Sequence, residues 1–399
     1  MRPTASVVAP GIAIIAVTYG LARFAYGLFL PEIRADVGFD SATAGAIGGM
    51  AYAGYAVAIV ASTILVERLG ARRVAIATGL VAALGMGLMA GSAAPWMLAG
   101  GVLLAGTSTG LSSPPMTDAV SRAVPEPQQP RANSLINAGT SLGVVLAGPI
   151  ALAATGQWRE AYLLFTAIAL AATVWLAIGL PRDGAAHRTA AGAGLPAGRR
   201  LRRTDARPVL IAAAGMGFAS AAYWTFAGDV MVTLGGLPRS LPGVAWVVIG
   251  GAGLLGGAAG DLIRRYGITA VHRGWLLALI GASLALVLLP GQPAAVLLSA
   301  GLFGVAYMML TGIYLVWGVR VYSDRPAVGV GLPFLTIALG QGIGAPIAGS
   351  AIELAGHPAT FAAFAAVAAL SMLPACRTQP APSPAVVPAH AAGAGGGGD

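Results

Sequence analysis

The feature that most constrains this chain is a recurrence of apolar stretches of about twenty residues, each long enough to cross roughly 30 Å of hydrocarbon. They fall at residues 8–30, 42–66, 74–92, 96–117, 133–154 and 158–180, then at 208–233, 243–262, 273–290, 294–318, 328–353 and 358–375. In lipid every backbone polar group must be satisfied within the protein, and the ten-residue alternation of barrel strands is absent. An all-α integral membrane bundle of twelve transmembrane helices is therefore predicted. Hydrophobic residues make up 57% of the chain and charged residues only 9%, which excludes a soluble enzyme and a disordered chain. The first apolar run is also too long for the core of a removable signal peptide.

Orientation follows from arginine, the only basic residue besides histidine. Placing the N-terminus in the cytoplasm leaves Arg34, Arg159 and Arg239 outside and puts nearly all the others, from Arg2 to Arg377, inside. That is the asymmetry the positive-inside rule requires. It accounts for the net charge of +9 without a nucleic-acid partner, because the arginines lie scattered between spans rather than on one soluble face. Both termini are expected in the cytoplasm of a bacterial cell, with the bilayer as the main partner and the chain a monomer in the inner membrane. Cys376 stands alone and His187, His272, His357 and His390 are scattered, so neither a metal site nor a cofactor is expected.

The two six-span blocks repeat. Gly139 and Gly143 lead to Gly148-Pro149 in span five, and Gly340 and Gly344 lead to Ala345-Pro346 in span eleven. Glu67-Arg68-Leu69-Gly70-Ala71-Arg72 follows span two, and Asp261-Leu262-Ile263-Arg264-Arg265-Tyr266-Gly267 follows span eight. Phe24-Ala25-Tyr26-Gly27 in span one answers Phe226-Ala227-Gly228-Asp229 in span seven. The organisation read from this is an N-terminal half over 1–180, a basic cytoplasmic linker over 181–207, a C-terminal half over 208–375, and an unstructured tail over 376–399 that ends in a glycine run.

In topology, residues 6–375 resemble the major facilitator superfamily, whose halves rock about a central cargo site. The loop after span two resembles that family's G-xxx-D-R-x-G-R-R signature, with Thr63 in place of the first glycine. The resemblance implies gating roles for Glu67, Arg68, Gly70, Arg72, Asp261 and Arg264. Gly143-xxxx-Gly148-Pro149 is similar to the family's antiporter motif, although Leu152-Ala153 replaces its closing glycine pair. Flexing at Gly148, Pro149 and Pro346 is implied, and export is favoured over uptake. Ala22 to Pro31 is similar to the opening of the YbfB/YjiJ-like branch of the superfamily.

Charges within spans are expensive, and so they mark sites. Arg23 sits deep in span one with Tyr19 and Tyr26 at helical spacing, a guanidinium between phenols suited to a carboxylate or an aromatic cargo; capping of internal carbonyls or snorkelling outward is the structural alternative. Asp229 is read as a proton carrier or as counter-ion to Arg23 or a cationic cargo, the alternative being a cap on the Gly235-Gly236 turn. Tyr307, Thr311 and Tyr314 recur at i, i+4 and i+7 in span ten; by the resemblance, spans one, four, seven and ten line the cavity, where this stripe would meet Arg23 and Asp229. Tyr52, Tyr55, Asn133, Asn137, Trp224 and Gln341 form a second tier. Asp118 reads as a helix-end ion pair with Arg122, and Glu353 as solvated.

No phosphate-binding G-x-x-x-x-G-K-[ST] loop can exist without lysine, and neither a G-x-S-x-G elbow nor an H-E-x-x-H helix occurs. The reading is a gradient-driven transporter, not an enzyme, exporting a small organic molecule in exchange for protons. Proton-coupled uptake is the runner-up, and a transporter-like sensor that binds without moving its ligand is the rival class.

Overall fold

The apolar runs become helices that extend past the lipid-facing sequence wherever their polar ends find partners. The computed structural model describes residues 3–180, 204–323 and 325–376. Most of the 181–207 linker and nearly all of the 376–399 tail lie outside the described residues. Span one is continuous from Pro3 to Val37, followed by Ser41–Leu69, Ala71–Ala90, Pro95–Ala123, Gln129–Ala153 and Trp158–Gly179. The second half opens with Arg207–Asp229, prolonged by Val230–Leu234. Span eight runs from Leu241 to Tyr266 through a 3₁₀ turn at Leu254–Ala258, and Ile268–Leu288 and Pro293–Val321 form spans nine and ten. Pro326–Leu370 is one helical run broken at Gly356, whose φ of 77° divides span eleven from span twelve. No strand occurs among the described residues.

Among the described residues, ten helices are long and apolar enough to cross a membrane. Span four is not among them, because Thr107, Ser108, Thr109, Ser112 and Ser113 dilute its apolar character. With that span and the break at Gly356, the arrangement is consistent with twelve crossings.

Among the described residues, the six glycines with positive φ fall into three pairs about 200 residues apart: Gly38 and Gly236, Gly70 and Gly267, Gly156 and Gly356. Each sits where one span turns into the next, so the repeat seen in sequence is also a repeat of turn geometry. Gly267 occupies the same structural place as Gly70: φ/ψ are 80°/158° and 88°/155°, a region open essentially to glycine alone. The span glycines serve close approach. A Cβ on Gly139 or Gly143 would strike the backbone of span one at Ile12 and Ala16, and one on Gly340 or Gly344 would strike span seven at Ala214 and Phe218.

Span one departs from α geometry over Ala16–Phe24, which is π-helical. Widened turns free carbonyls, and side chains from other spans take them. Thr109 Oγ1 of span four donates to Thr18 O at 2.7 Å, and Trp246 Nε1 of span eight donates to Phe24 O at 3.2 Å. The second π segment, Val230–Leu234, begins directly after Asp229.

Candidate functional site

Residues near the midpoints of spans one, two, seven, ten and eleven converge on Arg23. Arg23 is 6% exposed, so it does not snorkel. Nη2 donates to Gln341 Oε1 at 2.6 Å across the boundary between the halves. Four rings surround the guanidinium: Tyr52, Tyr55, Phe24 and Tyr19, with centroids 4.5, 4.8, 4.9 and 5.9 Å from its central carbon. Gln341 Nε2 continues to Tyr307 Oη at 3.2 Å and to Ser220 Oγ at 3.4 Å. Phe24 stacks on Trp224 at 4.0 Å between centroids, and Tyr307 meets both rings edge-on. A buried cation is thus held by π faces and by neutral side chains, Gln341 foremost.

Asp229 does not meet Arg23. It lies five residues beyond Trp224, about 8 Å further along the helix, on the face of the bundle opposite the N-terminus. There Arg34 Nη1 approaches Asp229 Oδ2 at 2.9 Å and His357 Nε2 approaches the same oxygen at 3.1 Å. Neither Arg34, expected outside the membrane, nor the scattered His357 is marked by the sequence as a partner of Asp229. The continuation of span one to Val37 places Arg34 about 16 Å along the helix from Arg23. Asp229 is 1% exposed, so it is not a solvated turn cap.

More of this far face is closed in the same way. Ser41 N donates to Glu353 Oε1 at 2.6 Å, while Glu353 itself stays exposed to solvent, as its place at the end of span eleven implies. Within the N-terminal half Glu32 accepts from Gly156 N at 3.0 Å, Asp36 accepts from Trp158 Nε1 at 3.0 Å and pairs with Arg159, and Arg159 also donates to Ser92 O. The backbones meet beneath this polar layer. Gly228 abuts Gly27, Gly148 abuts Gly243, and Gly49 lies against the ring of Pro346, all across the boundary between halves.

Other candidates lie elsewhere. Tyr26 sits a turn further out than Arg23 and donates to Ala44 O at 3.0 Å. Of the span-ten stripe only Tyr307 reaches the central cluster. Thr311 Oγ1 donates to Met308 O in its own helix, whereas Tyr314 donates to Ala212 O at 3.1 Å and lies 3.1 Å from His272 Nε2, inside the C-terminal half. The stripe extends about 10 Å along the helix axis, further than one layer of the site. Spans two and eleven supply neighbours of Arg23 that the expected lining omits, while span four enters through Ser113, 3.2 Å from Tyr19 Oη. Asn133 is half-buried and Asn137 exposed. Asp118 pairs with Arg122 at 2.9 Å.

The loop residues given gating roles by the resemblance face solvent or bond close by. Glu67 and Arg68 are exposed, Arg72 donates through Nε and Nη2 to Ala177 O at the end of span six, and Asp261 pairs with its neighbour Arg264.

The sequence model of the Major Facilitator Superfamily matches residues 12–332. The chain belongs to this superfamily. It is 30% identical over 367 residues to "Transcription regulatory protein OpdE" of Pseudomonas aeruginosa, an alignment covering 89% of each chain. Among solved structures, the nucleoside transporter NupG superposes with a TM-score of 0.76 at 15% identity, covering 93% of this chain and 98% of that one. A POT family transporter in complex with 5-aminolevulinic acid gives 0.72 at 15% identity, with 93% and 95% covered. A bacterial homologue of the human lysosomal transporter Spinster, inward-facing and unoccupied, gives 0.69 at 16%, with 93% and 94% covered. At these identities the structures establish the fold, that of a multi-pass membrane transporter of the superfamily type.

Proposed function

We propose that this chain is a proton-coupled secondary transporter of the bacterial inner membrane, exporting a small organic molecule by alternating access. The observation that carries the reading is the mid-membrane Arg23–Gln341 bond. It joins the two halves at a buried cation, while the far face beyond it is shut by Arg34–Asp229 and Ser41–Glu353. Cargo would bind at Arg23, Tyr19, Tyr52, Tyr55, Tyr307, Trp224 and Gln341. With the arginine-rich face in the cytoplasm, the shut face is the outer one, and in this reading the site would be reached from the inner face. The loop residues Glu67, Arg68, Arg72 and Asp261 would then clasp only when the inner face closes, and Gly148, Pro149 and Pro346 would act as seams between the halves. Asp229, placed in the outer closure beside His357, is the coupling acid in this reading, and the chain works as a monomer.

One observation favours a second reading. The OpdE relative bears the name of a transcription regulatory protein, which suits a sensor that binds a ligand and signals without moving it.

The test compares small molecules inside and outside cells expressing the native chain, Arg23→Ala or Asp229→Asn, with a protonophore control. A compound enriched outside only with the native chain and an intact proton gradient supports export. Protonophore-sensitive accumulation inside supports symport. No difference in either compartment, combined with an altered transcript profile on deletion of the chain, replaces transport by sensing.

A further inference from the structure

We propose that the Arg23 pocket binds a monocarboxylate with a flat apolar body, and that Gln341 occupies the guanidinium only until the carboxylate displaces it. The inference rests on reading the mid-membrane cluster as the cargo site and adds the chemical class.

A guanidinium carries five N–H donors. In Arg23 one nitrogen is engaged by Gln341, and Nε is buried with no hydrogen-bond partner. The other buried acids are committed elsewhere, Asp229 to Arg34 and His357 and Glu32 to Gly156. Among the described residues Arg23 has no ion-pair partner, although its burial demands one. The ring faces stabilise the cation without neutralising it. An unpaired Nε beside the Nη2 that holds Gln341 is a docking edge for a planar carboxylate, which takes two parallel N–H bonds.

The count of charges sets the class. One uncompensated cation matches one negative charge, because the next arginine of span one, Arg34, already holds Asp229. A dianion would be left half-neutralised in a low dielectric, and a cationic ligand would meet a like charge. The remaining surroundings are rings, Phe24 stacked on Trp224 with Tyr307 edge-on to both, which favour a flat unsaturated body. Gln341 gives the binding event a consequence. Released from Arg23, it would keep its bonds to Tyr307 and Ser220 inside the C-terminal half, so the carboxylate would replace a direct link between the halves.

The experiment measures binding of benzoate, benzamide, benzylamine and phthalate to the purified chain in nanodiscs, by calorimetry and by quenching of tryptophan fluorescence. Benzoate should bind at least about tenfold more tightly than the other three. Gln341→Glu places a permanent carboxylate on the guanidinium and should abolish benzoate binding, and Arg23→Lys, which keeps the charge but loses the fork, should weaken it about tenfold or more. Equal binding of benzamide or benzylamine, tighter binding of phthalate, or no saturable benzoate binding by the native chain overturns the proposal. So does undiminished binding by a folded Gln341→Glu chain. The native-chain comparison decides the matter even where a variant fails to fold. A neutral or cationic cargo found in the cell comparison refutes this inference and leaves transport standing, whereas benzoate binding with no difference between compartments refutes transport and leaves this inference standing.

Discussion

Replacing Arg34 with alanine tests whether the far-face ion pair is what holds that face shut. Asp229 is 1% exposed and Arg34 22% exposed, with nitrogen and oxygen 2.9 Å apart. Removing one partner of a fully buried pair costs about 3–5 kcal/mol. Here the exposure of Arg34 and the retained His357 contact reduce this to about 2 kcal/mol. The loss falls on the closed arrangement alone, because the partners belong to different halves and separate when the face opens. About 2 kcal/mol is a factor of roughly 30 in an equilibrium constant, so a closed population of about 99% would fall to about three quarters. Spin labels at Gln157→Cys and Gln292→Cys, exposed far-face positions in opposite halves, report this in a Cys376→Ser background. Pulsed electron resonance should show a second, longer distance in Arg34→Ala. The double variant Arg34→Ala/Asp229→Ala should open less than the two single effects summed, since no carboxylate is then left buried alone. An unchanged distance distribution in a folded Arg34→Ala chain would refute the reasoning.

Three further outcomes are expected. Gly45→Val inserts a side chain against Ala345 O and the backbone of Gly349, and the same label pair should lengthen. Gly70→Ala forces φ 88° and ψ 155° on a residue with a Cβ, which costs about 1–3 kcal/mol and should lower the thermal midpoint in detergent, as should Gly267→Ala at the equivalent turn. Asp40 caps span two by accepting from Thr43 N at 2.7 Å, and its hydrogen bonds with Thr43 hold its carboxyl below the usual range. Its contribution should be complete above the ordinary carboxylate range and vanish as pH falls through the lowered value; Asp40→Ala should lower the thermal midpoint at neutral pH and lose that acid dependence, while Asp40→Asn keeps the cap.

Depth in the membrane was legible from sequence, and direction around each helix was not. Arg23, Tyr19, Tyr52, Tyr55, Trp224, Tyr307 and Gln341 could all be singled out as polar or aromatic residues within spans, and all meet in one cluster. Tyr26, Thr311 and Tyr314 were equally conspicuous but face other partners, since a hydroxyl goes to whichever carbonyl the neighbouring helix presents. Arg34 and His357 were invisible as partners of Asp229. Hydropathy ends a span where charge begins, whereas the helix continues as long as its charged side chains are satisfied.

The sequence by itself determined the membrane-spanning class, the repeated halves and the superfamily. Hydrocarbon thickness fixes segment length, and backbone hydrogen bonding in lipid leaves an apolar segment little choice but helix. Tertiary structure alone decided that Arg23 bonds Gln341 rather than Asp229, that Asp229 belongs to a closure on the far face, and that spans two and eleven enter the site. These outcomes depend on the rotation of each helix about its axis and on the axial offset between neighbours. Both are set by where small residues let two backbones meet, and that requires the partner helix to be in place.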